Sequence, residues 1–180
     1  MAVLVEAISV ITRVDSIKAR YPGGWAAFRD DVPNGTLACD DEVARVGFMV
    51  PEDAHSFVDS LEAKGLVFLR NRQAIDVAVA DQQRGMTSLC DWLDFGHVKF
   101  DGHSVAACQL VGSASKQLFT PEGWQYERSL SSSFGFVPTG AEKNALDPVR
   151  GNDGIDAYRS RLTGQMAYVG RTKSKKADDK

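Results

Sequence analysis

The chain has 180 residues, 43% hydrophobic and 25% charged, with a net charge of −3 at neutral pH. That length suits one domain able to bury a full core without a metal or a disulfide, and the composition excludes a disordered chain. The charge is uneven: five basic and two acidic residues give residues 171–180 a charge of +3, so residues 1–170 carry −6, which excludes a broad phosphate-binding face and predicts no specific nucleic-acid partner.

Residues 3–12 are β-branched and apolar on both faces, which predicts one well-covered central strand. Asp15 then suits an N-cap. Ile17, Tyr21, Trp25 and Phe28 keep helical spacing around a break at Pro22-Gly23-Gly24, predicting two short helices. Residues 36–39 and 43–49 read as a hairpin across Asp40-Asp41. The clearest helix follows, with Pro51 at its first position, Glu52 and Asp53 at the positive end of its dipole, and Ala54, Phe57, Val58 and Leu61 as one apolar stripe. Gly65 ends it, and residues 66–69 read as the next strand.

The order strand, helix, strand, strand, helix, strand over residues 3–70 is that of a ferredoxin-like βαββαβ unit, so the expected class is α+β. More strands extend it. Residues 74–80 alternate, with Ile75, Val77 and Val79 on one face and Asp76, Ala78 and Ala80 on the other. Residues 92–100 and 103–111 flank Asp101-Gly102, a type I′ hairpin signal. These strands either widen the first sheet or fold over it as a second one. The expected organisation is a sheet core over residues 1–112, an aromatic, Gly- and Ser-rich extension packed on it over 113–170, and a disordered basic tail over 171–180. Within the extension, residues 119–137 form a flap or a packed segment, 139–153 a long loop, 155–162 a short helix and 165–169 a last strand.

Cys39, Cys90 and Cys108 are widely spaced and form no CxxC pair, which predicts free thiols in a reducing, cytoplasmic setting. No run of 18 apolar residues predicts a membrane span, and the first residues do not read as a signal peptide. Nucleotide loops, dinucleotide fingerprints, hydrolase elbows and zinc motifs are absent, so neither cofactor nor metal is expected. In the hairpin register His97 and His103 point to opposite faces, which predicts no joint metal site.

The residues that carry possible chemistry are polar groups in apolar surroundings. Asp81, Gln82, Gln83 and Arg84 leave the end of a strand, where they offer an acid, two amides and a guanidinium able to grip an anion, or else cap free backbone groups. Glu6 and Asp76 are carboxylates inside apolar strands, so each is expected to face solvent, a cationic partner or a ligand pocket, with Arg45 available as partner to either. Trp25, Trp92 and Trp124 offer planar stacking faces. Three readings follow: a small-molecule-binding protein with a pocket on the sheet lined by tryptophan and arginine; a cofactor-independent enzyme using Glu6, Asp76 or Asp81 as acid or base; and an assembly protein, including a homo-oligomer, acting through residues 119–137.

Overall fold

The computed structural model shows an α+β protein and describes residues 1–113, 117–133, 146–152, 155–160 and 166–170. It divides into two units, Met1–Gln125 and Tyr126–Lys180.

In chain order the first unit contains β1 (Ala2–Leu4), β2 (Ile8–Arg13), α1 (Val14–Arg20), α2 (Gly24–Asp31), β3 (Ala38–Cys39), β4 (Val43–Phe48), α3 (Pro51–Ala63), β5 (Leu69–Arg70), β6 (Gln73–Ala74), β7 (Val77–Asp81), β8 (Gly85–Met86), β9 (Leu93–Phe100), β10 (His103–Leu110) and β11 (Leu118–Phe119). One sheet has the order β3-β4-β2-β7-β8 and is antiparallel throughout. The later strands do not widen it. They form a second sheet of order β11-β1-β10-β9.

Strand alternation gives the first sheet two covered faces. Val10, Ala44, Val46, Phe48, Val77 and Val79 pack with Val14, Ile17, Phe28, Phe57, Val58 and Leu61 of the three helices. The opposite face offers Ile11, Val43, Ala78 and Ala80 to Val3, Leu93, Ala106 and Cys108 of the second sheet. The unit is thus three layers deep, helices, sheet, sheet, and both faces of β2, β4 and β7 read as apolar because both are buried. Each fully buried Leu, Val, Ile or Phe contributes about 1.5–3 kcal/mol.

Several expectations are corrected. Residues 3–12 are not one strand: the chain pairs with β10 through β1, bends, and pairs with β4 and β7 through β2. Ala7 at the bend has φ 48, a left-handed conformation that breaks the ladder. Arg13, not Asp15, is the residue before α1. Residues 66–69 supply no strand to either large sheet; Leu69 and Arg70 pair only with Gln73 and Ala74 in a two-stranded ribbon, and the first sheet takes β7 beside β2 instead. The hairpin at Asp101-Gly102 forms as expected, with Phe100 opposite His103, His97 opposite Ala106, and φ 47 and 82 at the two turn residues. The first unit also continues past residue 112, since β11 lies parallel beside β1.

In the second unit a 3₁₀ turn (Tyr126–Arg128) precedes α4 (Leu130–Ser133), and β12 (Leu146–Asn152), β13 (Ile155–Ser160) and β14 (Met166–Gly170) form an antiparallel sheet in that order. Residues 146–152 of the expected loop are therefore strand, and so are residues 155–160 of the expected helix. Six residues are too few to hold a helix without tertiary support, whereas β13 takes ladder partners on both sides. Pro148 sits on the edge strand β12 beside a register shift, a place where strands tolerate proline. Residues 134–137 of the expected flap and the tail at 171–180 lie outside the described residues.

The polar centre of the first unit is Arg45, 2% exposed on the inter-sheet side of β4. Gly47 lies two residues on, and a Cβ there would stand 2.6 Å from Arg45 Nη2 and 2.8 Å from its Cζ. Gly47→Ala is expected to destabilise the protein by about 1–3 kcal/mol, because the guanidinium is held and cannot move aside. Urea denaturation measures it, and a wild-type midpoint would show that Arg45 is free to shift.

Candidate functional site

The polar residues singled out in the sequence fall into separate places. At the strand bend, Arg45 donates from Nε to Ser9 Oγ (2.8 Å), from Nη2 to the Glu6 carbonyl (2.8 Å) and from Nη1 to the Thr36 carbonyl (3.2 Å). Burial pushes its pKa down to about 10, while the Glu6 charge acts to hold it up, so it stays a cation at neutral pH. Ser9 Oγ also donates to the Glu6 carbonyl at 3.0 Å. Gln82 secures the same bend from β7's end: its backbone N–H donates to the Ala7 carbonyl (2.8 Å), and its side-chain oxygen accepts from the Ala7 N–H (2.9 Å). Glu6, Arg45 and Gln82 therefore do come together, around the backbone of residues 6–9.

Arg45 does not serve Asp76. The Asp76 carboxylate, 1% exposed, accepts from Arg20 Nη1 (2.6 Å), Ser16 Oγ (2.8 Å) and the Val67 N–H (2.8 Å). It ties α1 to the segment leaving α3, and three donors to one buried carboxylate satisfy the requirement that a buried charge be paired. Asp81 accepts from the N–H groups of Gln83 and Arg84 at 2.8 and 2.9 Å, which closes the tight turn between β7 and β8. Of that turn, the Gln83 and Arg84 side chains are exposed, and neither is in an ion pair or side-chain hydrogen bond among the described residues.

The three tryptophans do not converge. Trp25 stacks on Phe28 beside the helices (5.5 Å). Trp92 lies in the inter-sheet core, donates to the Ala74 carbonyl (3.1 Å) and carries the Arg13 guanidinium 5.8 Å from its ring centroid. Trp124 meets Phe100 edge-on (5.4 Å) at the tip of the β9–β10 hairpin. Burial raises the pKa of all three thiols, furthest for Cys108 between the sheets, which suits packing and not nucleophilic attack.

Two groups were not legible in the sequence. One is a triangle of Tyr21, Asp31 and Lys64, at the ends of α1, α2 and α3. The Tyr21 hydroxyl donates to Asp31 Oδ2 (2.9 Å), and Lys64 Nζ donates to both oxygens (2.8 and 2.6 Å). Lys64 and Tyr21 hold the Asp31 carboxyl below its ordinary value, and Asp31 holds Lys64 above its own. The residues are 10, 33 and 43 positions apart, so no local pattern announces them.

The other group is on the surface, at the two ends of α3. Before it, Met49 is 47% exposed beside exposed Pro51, Glu52 and Asp53. After it, the β5–β6 ribbon exposes Leu69 (42%), Arg70, Asn71 and Arg72, and Leu89 (70%) lies alongside through the Ala74 N–H bond to its carbonyl (2.8 Å). Neither the Glu52 and Asp53 carboxylates nor the Arg70 and Arg72 guanidiniums have an ion pair or side-chain hydrogen bond among the described residues. No protein-family model, curated protein or solved structure matches the chain.

Two measurements check the structural roles. Asp76→Ala is expected to lower stability by about 1–3 kcal/mol, since Ser16 and the Val67 N–H lose their acceptor while the half-exposed Arg20 returns to water; a loss under 1 kcal/mol in urea would contradict the buried network. The Asp31 carboxyl is lowered in the folded chain, so its contribution is present above the unfolded value of 3.8 and is lost as pH falls through the lower folded value. Asp31→Asn is therefore expected to shrink the drop in urea midpoint between about pH 6 and about pH 3; an unchanged drop would remove Asp31 from the acid response.

Proposed function

We propose that this chain is an interaction protein that holds a macromolecular partner by its surface. The observation that carries this reading is the pair of exposed patches at the ends of α3, where apolar side chains lie beside unpaired charges. Apolar area surrounded by polar groups is the composition of a docking surface, and large exposed hydrophobics grouped together are uncommon on a lone chain.

The other readings find less support. A small-molecule pocket lined by Trp25, Trp92 and Trp124 with Arg45 or Arg84 needs these side chains around one ligand, and they lie in different clusters. A carboxylate enzyme needs a group free to move a proton, and Asp76 and Asp81 are occupied by the fold. Phe119, in the aromatic segment expected to mediate assembly, packs against the inter-sheet core, which gives that segment less support as a contact surface than α3's ends. No helix among the described residues is long and apolar enough to cross a membrane, and three unpaired thiols suit a reducing, cytoplasmic compartment.

Native mass spectrometry of the purified full chain tests the reading. The expected result is polypeptide mass with no compound held at one per chain. A stoichiometric small molecule, released by Arg84→Ala, would favour the ligand-binding reading and sink this one.

A further inference from the structure

We propose that the partner is a second copy of this chain, with the basic ribbon end at residues 69–72 of one copy docked on the acidic end at residues 49–53 of the next. The proposal rests on the interaction reading above and adds the identity of the partner.

The two patches match in charge and in character. One offers Leu69 and Leu89 with Arg70 and Arg72; the other offers Met49 and Pro51 with Glu52 and Asp53. The first turn of α3 contributes about half a positive charge from its dipole, which leaves the two carboxylates well in excess there. Guanidinium groups engage carboxylates in pairs of parallel bonds, and Arg70 and Arg72 are exposed and unengaged. Exposed Leu and Met side chains then bring apolar area out of water at the same contact.

The patches flank opposite ends of one helix. Glu62, which accepts from the Phe68 N–H just before the ribbon, lies about 15 Å along the axis from Glu52 at 1.5 Å per residue. The arrangement favours partnership between copies: each copy presents both halves of the contact. A contact between unlike patches is heterologous, so it continues as a ring or chain unless two copies of it close a dimer.

Light scattering of the full chain over a concentration series up to millimolar, at low and at high salt, tests this. The expected result is a mass above that of the monomer at low salt, falling as salt screens the charges. Arg70→Glu with Arg72→Glu is expected to weaken association about tenfold or more, and Glu52→Lys with Asp53→Lys likewise. Mixing the two double variants restores a complementary contact and is expected to recover association. Leu89→Ser, which leaves every charge in place, is expected to weaken it too, and circular dichroism shows that each variant is folded. A monomer at every concentration in low salt overturns the proposal, as does association that both charge reversals leave unchanged. Neither result bears on the retained-ligand measurement, by which the interaction reading itself fails.

Discussion

A single buried cation organises the first unit. The N-terminal segment serves two sheets, β1 in one and β2 in the other, and the bend between them leaves backbone groups that no ladder can satisfy. Arg45 reaches that bend from the neighbouring strand. Its guanidinium bonds to the Glu6 carbonyl, to Ser9 Oγ and to the Thr36 carbonyl, and Gly47 leaves the space in which it lies. Gln82 holds the far side of the same bend at Ala7. A buried arginine is expensive unless its donors are matched; here each of its three nitrogens has an acceptor. The position of the second sheet over the first follows from this bend.

Polar groups of the first unit thus serve the fold. Asp76 joins α1 to the chain leaving α3, Asp81 closes a turn, and Tyr21, Asp31 and Lys64 tie three helix ends together. Charged and amide groups committed in this way are ill suited to reading a ligand, because each would exchange a fixed bond for a new one. What the fold leaves uncommitted is on the surface, Arg70, Arg72, Glu52 and Asp53 among it, beside exposed Leu69, Leu89 and Met49. The proposed function accordingly rests on surface contact and not on buried chemistry.

Local sequence settled what depends on near neighbours. The stripe Ala54, Phe57, Val58 and Leu61, with Pro51 ahead of it, determined α3, and Asp101-Gly102 determined the longest hairpin and its register, because a turn type and a helical face are decided within a few residues. The α+β class follows from those periods. What needed the tertiary structure was any choice between partners distant in the chain. Residues 3–12 are equally strand-like throughout, and only pairing with β10 on one side of the bend and with β4 and β7 on the other divides them. Residues 155–160 are ambiguous between helix and strand until β12 and β14 supply ladder bonds. Asp76 and Glu6 announced in sequence that each needed solvent, a cation or a ligand, since a buried carboxylate is costly alone; which cation serves Asp76, and that Arg45 holds the backbone at residue 6, was decided by packing between segments tens of residues apart, a quantity no local pattern contains.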